Sequence, residues 1–155
     1  MIIMRFLEIV FRGCGKLPRD AVFHLGFKIA NGKISHAVYT PRGVVYVSSK
    51  CEECVVYRVL EKGHVYRIKI REGLVYVITE EKKAVVKLLR ENRERVLAYR
   101  PVPVKRIVVT PFQGEVLAKM ADGGNLSTTA RARGVSKVAV YKTFKLALRK
   151  VVELV

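Results

Sequence analysis

The stretch that decides the fold of the C-terminal part of this chain runs from Ser127 to Val140 and reads STTARARGVSKVAV. Its first part, Ser127 to Arg133, predicts a short helix. Gly134-Val135-Ser136 predicts a tight turn, because Gly permits positive φ and Ser136 can cap the next helix. A longer last helix is expected from Lys137 to about Leu154, with an apolar side formed by Val140, Phe144, Leu148 and Val151.

Another helix is expected just before this stretch. Thr110 suits the N-cap position, Pro111 the first helical position, and Gln113 stands where a capping box needs it. The chain from residue 104 to 155 therefore predicts a tri-helical domain. Its short helix, Gly-containing turn and longer helix form the helix-turn-helix arrangement.

In that arrangement the second helix of the motif enters the major groove of DNA, with its N-terminal residues against base edges. Lys can bond guanine acceptors, and an apolar side chain can meet the thymine methyl group. The residues expected to contact bases are Lys137, Val138, Tyr141 and Lys142. Hydroxyl and cationic side chains near phosphates position such a module without reading sequence, and these are Ser127, Thr128, Arg131, Arg133 and Lys145.

A family resemblance supports this interpretation. The segment Val109–Leu117, reading VTPFQGEVL, is followed after sixteen residues by Gly134–Ser136. This pattern resembles sigma-factor region 4 and LuxR-type helix-turn-helix domains, and its opening looks like the archaeal bacterio-opsin activator type. The resemblance covers residues 109 to 152 and implies a transcription regulator whose last helix contacts DNA. Thr129 and Arg133 depart from it, because those families usually bury an Ile and a Leu there.

The last helix is longer than groove recognition needs. Its apolar side continues through Phe144, Leu148, Val151 and Val155. Docking on the first helix of the module is the default expectation, and a two-fold dimer seam is the alternative. The expected partners are double-stranded DNA, a second copy of the chain and the transcription machinery.

Residues 1 to 100 have a different pattern. Short runs rich in β-branched residues and Tyr are separated by turn signals at Asn31-Gly32, Pro41–Gly43, Lys62-Gly63 and Glu72-Gly73. Five or six strands in a small, mainly antiparallel sheet are expected, with Tyr66, Ile68 and Ile70 on the core side of one of them. The expected strands are Met1–Phe11, Val44–Ser48, Val55–Leu60, Val65–Ile70 and Leu74–Ile78.

One amphipathic helix is expected from Glu80 to Leu97, and Pro101-Val102-Pro103 cannot continue it. The sequence therefore predicts an α+β protein. Residues 1–100 form a β-rich domain with one helix, for sensing, dimerisation or partner docking. Residues 104–155 form the helix-turn-helix domain.

The charge of the chain limits its partners. It carries 30 Lys and Arg against 13 Asp and Glu, a net charge of +17. Such a surplus attracts polyanions, and nucleic acid is the commonest of them. A membrane partner is not expected, because no apolar run approaches the roughly 20 residues that span a bilayer. A cytoplasmic protein with a thermophile-like composition is predicted, with one Gln and three Asn.

Cys51-Glu52-Glu53-Cys54 has the spacing of half a zinc site. Cys14 and one of the histidines His24, His36 or His64 would complete four ligands. A disulfide and free cysteines remain alternatives, so zinc is the only cofactor considered.

Two other functions compete with DNA binding. An RNA-binding protein would stack single-stranded bases on a basic sheet bearing Tyr57-Arg58 and Tyr66-Arg67. A metal-dependent nucleic-acid enzyme would need more acidic ligands than the chain has. We found no paired carboxylates, no Ser/His/Asp set and no phosphate loop, and therefore predict that the protein is not an enzyme.

Overall fold

The computed structural model describes residues 5–51 and 54–154 of the chain. Within them the protein is mixed α+β, as predicted, but its strands form two small antiparallel sheets. The chain divides into two compact units, the first ending at Val102 and the second beginning at Pro103.

The first unit has seven strands and two helices in its described residues. One sheet has the order β5-β6-β1-β7 and the other the order β2-β3-β4. Along the chain the elements are β1 (Phe6–Arg12), β2 (Phe23–Ala30), β3 (Lys33–Thr40), β4 (Gly43–Lys50), α1 (Val55–Lys62), β5 (Val65–Arg71), β6 (Leu74–Glu80), α2 (Lys83–Glu91) and β7 (Val96–Val102).

Two of the expected turns close hairpins. Asn31-Gly32 joins β2 to β3 and Glu72-Gly73 joins β5 to β6. All four residues have positive φ, between 51° and 75°. This is the conformation that matches the twist of paired strands, and it favours Asn and Gly.

Strand β1 lies in the middle of the first sheet and organises the core. It pairs with β6 on one edge and with β7 on the other. Leu7, Ile9 and Phe11 alternate along it and are at most 2% exposed. They belong to one core with buried side chains of α1 and α2, so both helices cover the same side of this sheet.

The predicted strand Val55–Leu60 is wrong, because this segment forms helix α1. The backbone N–H of Cys54 donates to the Cys51 carbonyl at 2.9 Å, which turns the chain into the helix. α1 then packs against α2 and buries Val55 and Val59, one helical turn apart. Tertiary burial overrides the β-preference of its Val residues.

The predicted helix Glu80–Leu97 is correct only in its middle. α2 ends at Glu91, and the Asn92 side chain donates to the Leu88 carbonyl at 2.8 Å. Residues Val96–Val102 then form β7 against the edge of β1. Pro101 is tolerated because β7 is itself an edge strand. The first unit therefore contains two helices and not one.

Of the two tyrosines assigned to a basic sheet, only Tyr66 lies in one, on β5. Tyr57 is on α1 and only 5% exposed. Tyr66, expected in the core with Ile68 and Ile70, is 47% exposed. A register shift between Val65 and Arg67 explains this, because one extra residue turns a side chain to the opposite face.

The second unit is helical in its described part. Its elements are α3 (Val104–Ile107), α4 (Pro111–Ala121), α5 (Leu126–Arg133) and α6 (Lys137–Leu154). The expected capping box is confirmed, since Thr110 and Gln113 bond each other's backbone N–H groups. No helix among the described residues is long and apolar enough to cross a membrane.

Helices α4, α5 and α6 each contact the other two. Val116, Ala130 and Val140 are buried where they meet, with Phe112, Met120, Leu126 and Phe144 partly buried around them. The expected apolar side of α6 differs in one position, because Ala147 is fully buried and Leu148 is 40% exposed. Val155 lies outside the described residues.

Two glycines between β1 and β2 give a matched test of this fold. A Cβ at Gly13 would collide with the carbonyl oxygen of Gly73, whereas a Cβ at Gly15 would meet nothing within 4 Å. We expect Gly13→Ala to lower the free energy of unfolding by about 1–3 kcal/mol, as overpacking does. Gly15→Ala is the control and should leave the urea midpoint within error. Equal midpoints for both variants would show that β1 and the β5–β6 turn do not approach each other as described.

Candidate functional site

The start of α6 is fixed by its own sequence. Gly134 ends α5 in the left-handed region, with φ of 65°. The Val135 backbone N–H donates to the Ala130 carbonyl at 3.1 Å. The Ser136 hydroxyl accepts from the Ala139 N–H at 3.1 Å and so caps α6. The chain between α5 and α6 is therefore a short turn with defined hydrogen bonds.

This turn sets which side of α6 is exposed. Val140 is fully buried, while Val138 and Tyr141 are 61% and 48% exposed. Lys137 and Lys142 are exposed as well. The residues predicted to contact bases therefore share one exposed side of the first turns of α6. The Lys145 ammonium lies 5.9 Å from the centre of the Tyr141 ring and extends this side by one turn.

The predicted phosphate-contacting residues of α5 differ in their exposure and in their hydrogen bonds. Thr128 and Arg131 are exposed, and Ser127 is half-buried. The Thr128 hydroxyl and N–H both donate to the Asn125 side chain, at 2.9 and 2.8 Å. Asn125 is thus the cap of α5, a role that the sequence interpretation missed although Asn is a preferred N-cap residue.

Arg133 is exposed, but its side chain is engaged by contacts within the second unit. Its guanidinium pairs with Glu115 on α4 and lies 4.9 Å from the centre of the Phe112 ring. Lys119 also pairs with Glu115, at 3.3 Å. Arg133 therefore joins α5 to α4. The sequence could not predict this contact, because spacing along the chain does not reveal that Arg133 and Glu115 are close in space.

Thr129, the other departure from the resembled families, is also accommodated. It is 4% exposed, and its hydroxyl donates to the Asn125 carbonyl at 3.0 Å. A buried hydroxyl with such a partner costs little.

Lys150 is a second residue that sequence reasoning missed. Its ammonium donates to the Val108 carbonyl at 2.8 Å and to the Gln113 side chain at 2.7 Å. It therefore links the C-terminal part of α6 to the start of α4. The exposed cations nearer the start of α6 take no part in this contact.

The charge of this unit is concentrated along α5 and α6. Between Asn125 and Val152 the sequence has seven Lys or Arg and no Asp or Glu. With Arg133 paired and Lys150 bound, the exposed cations include Arg131, Lys137, Lys142 and Lys145. We call these four exposed cations, with the exposed Val138 and Tyr141 among them, the positive stripe.

The three cysteines of the first unit lie around one cavity. Cys14, Cys51 and Cys54 line it together with His24 and His36. The cavity has a volume of about 30 Å³, which is room for roughly two waters.

The part of the chain that the structure describes has no arrangement that would hold zinc. All three cysteines are free. No three potential ligands come together closely enough for a metal ion in residues 5–51 and 54–154, and Glu52 and Glu53 lie outside them. Cys51 instead contacts the Ser49 hydroxyl at 2.9 Å and the Lys16 ammonium at 3.8 Å.

The two histidines of the cavity bind each other. His24 Nε2 and His36 Nδ1 are 2.8 Å apart, so one ring donates and the other accepts. Burial, and then the charge of His36, lower the pKa of His24 from 6.5 to about 4. Burial also lowers the pKa of His36. Both rings are therefore neutral at pH 7.

This pair should make the stability of the first unit depend on pH. The folded pKa of His24, about 4, lies below its unfolded value of 6.5, so the unfolded chain takes up the proton first as pH falls. The contribution of neutral His24 to the free energy of unfolding is complete above pH 6.5 and is lost as the pH falls towards 4. We expect the urea midpoint, followed by the β-sheet circular dichroism signal, to fall between pH 6.5 and about 5, before carboxylates titrate. The fall should be smaller in His24→Gln, and an equal fall in both proteins would contradict the coupling.

Comparison of the chain with models of protein families, with curated proteins and with solved structures gives no match. The roles of these residues are therefore argued from their chemistry and their positions. On those grounds the positive stripe of α5 and α6 is the strongest candidate site of the second unit.

Proposed function

We propose that the protein is a DNA-binding transcription regulator whose helix α6 enters the major groove of duplex DNA. The observation that carries the proposal is the exposed side of α6. Lys137, Val138, Tyr141 and Lys142 are all exposed there, whereas Val140 is buried. The order of α5, the turn Gly134–Ser136 and the longer α6 supports a helix-turn-helix.

The chemistry of this side suits base edges in the major groove. Lys137 and Lys142 can donate to the O6 and N7 acceptors of guanine, and Val138 can meet a thymine methyl group. Helix N-termini also favour phosphate, because their free N–H groups point outward. The first turn of α6 has no acidic residue that would oppose an approaching phosphate.

Residues around the helix would hold the duplex in place. Ser127, Thr128, Arg131 and Lys145 are proposed to contact phosphates, which fix orientation without reading sequence. Arg133 is left out of this set, because a phosphate contact would compete with its pairing to Glu115. The first unit would then serve as a sensing, dimerisation or partner module of the regulator.

The test is binding of the purified chain to random duplex DNA and to the duplex upstream of its own coding sequence, at several salt concentrations. We expect affinity for both to fall steeply with salt, and the upstream duplex to bind more tightly. Equal weak binding to both would leave non-specific charge as the explanation. Failure to bind either would disprove the proposal.

Variants of α6 test the assigned side chains. Lys137→Ala combined with Lys142→Ala should lose about 1–3 kcal/mol of preference for the target over random duplex for each lysine that contacts a base. A lysine that contacts a phosphate should instead lower the salt slope by about 0.9. Lys62→Ala, an exposed lysine at the end of α1, is the control and should change neither quantity. Unchanged preference and slope in the double variant would remove α6 from the interface.

A further inference from the structure

On one side of the sheet β2-β3-β4, every strand residue that pairs across the sheet is exposed or half-buried, and none is buried. Along its central strand β3, Ile34, Val38 and Thr40 are at most 1% exposed and face the core. Ser35, Ala37 and Tyr39 alternate with them and therefore face the opposite way. We call this opposite side the outer face.

Strand pairing arranges the outer face in four rows across the sheet. One row consists of Phe23, Tyr39 and Val44, and the next of Gly26, Ala37 and Tyr46. The third row consists of Lys28, Ser35 and Ser48, and the fourth of Ala30, Lys33 and Lys50.

The first two rows form a flat aromatic area. The rings of Phe23 and Tyr39 stack, with centres 6.2 Å apart and planes 29° apart. Tyr46 is 78% exposed. Its neighbours Ala37 and Gly26 are small, and even a Cβ on Gly26 would meet nothing within 4 Å. The small residues therefore leave open space beside Tyr46 that extends across β3 to the edge strand β2.

The last two rows are basic and polar. Lys28, Lys33 and Lys50 are exposed, and the hydroxyls of Ser35 and Ser48 bond each other at 2.6 Å. No Asp or Glu occurs anywhere from Ala21 to Cys51 in the sequence. The outer face is thus aromatic at one end, positive at the other, and free of negative charge.

We propose that the outer face binds single-stranded nucleic acid, with bases stacked on Tyr39 and Tyr46 and phosphates bound by Lys28, Lys33 and Lys50. Aromatic rings on a sheet beside cations are what unpaired bases and their backbone need. In a duplex the base faces are covered by their neighbours, so the aromatic end selects single strands. A second copy of the chain is disfavoured as the occupant, because each copy would bring the same three lysines.

This proposal is independent of duplex binding by α6. It also differs from the RNA-binding alternative drawn from the sequence, which used Tyr57 and Tyr66. Tyr57 is buried on α1, and Tyr66 lies in the other sheet.

The experiment uses the full chain and fluorescein-labelled 12-nucleotide oligo(U) and oligo(dT), with anisotropy as the readout. Tyr46→Ala should weaken binding roughly 5- to 150-fold, the effect of losing one stacked base. Tyr46→Phe keeps the ring and should bind as the native protein does. Because Tyr46 is so exposed, both variants should keep the native urea midpoint. Tyr99→Ala, an exposed tyrosine of β7, is the matched control and should not change affinity.

The lysines are tested through salt dependence. Replacing Lys28, Lys33 and Lys50 together with Ala should lower the slope of log affinity against log salt by about 2, at about 0.7 per contact on single strands. Lys83→Ala, at the exposed start of α2, should leave the slope unchanged. Tighter binding of oligo(U) than of oligo(dT) would mark RNA as the ligand, and the reverse would mark single-stranded DNA.

Three results would overturn the proposal. One is native single-strand affinity in Tyr46→Ala. Another is a dimer in sedimentation that dissociates in Tyr46→Ala, which would make the outer face a contact between copies. The third is a loss of single-strand affinity in the α6 variant. The α6 variant Lys137→Ala with Lys142→Ala separates this proposal from duplex binding. It should keep native single-strand affinity, and loss of that affinity would assign single-strand binding to the second unit.

Discussion

Val140 on α6 and Ile34 with Val38 on β3 are completely buried, and their burial fixes which side chains of these elements stay outside. A helix that buries one side must present the residues half a turn away, and a strand must present every second residue. The exposed side of α6 and the outer face of β2-β3-β4 are both consequences of this constraint. Neither surface depends on a mobile loop, so its side chains have fixed spacing.

The positions of the few acidic residues determine which cations are neutralised by ion pairs. Glu115 pairs with Arg133 and Lys119, Glu8 pairs with Arg100, and Asp20 pairs with Arg42. Exposed pairs of this kind add roughly 1 kcal/mol or less to stability. Two of these pairs act on the acid-free stretches 21–51 and 123–152, because Asp20 and Glu115 neutralise Arg42 and Arg133 there. Lys28, Lys33, Lys137 and Lys142 of the two proposed surfaces lie in the same stretches and have no acidic neighbour in sequence.

Sequence reasoning succeeded where the deciding contacts are local. The Thr110 capping box, the Ser136 cap and the hairpin turns all join residues within three positions of each other. It failed where contacts between distant residues determine the secondary structure. Val55–Leu60 is helical because it packs against α2, and Val96–Val102 is a strand because it pairs with β1. The exposed residues of α6 followed from helical period alone. The outer face was missed, although the alternation in Lys33–Thr40 and the absence of acids around it were visible in the sequence.

Under the two proposals, the shapes of the surfaces, and not their charge, would assign them to different forms of nucleic acid. A net charge of +17 attracts any polyanion. The major groove of B-DNA is about 12 Å wide and admits one α-helix or a two-stranded ribbon. A layer of three strands spaced about 4.8 Å apart is roughly 14 Å wide, too wide to enter that groove. An unpaired strand has no groove and offers base faces, which a flat sheet bearing Tyr39 and Tyr46 can contact. The aromatic rings of the sheet and the apolar side chains of α6 are therefore the groups through which this basic protein would distinguish its ligands.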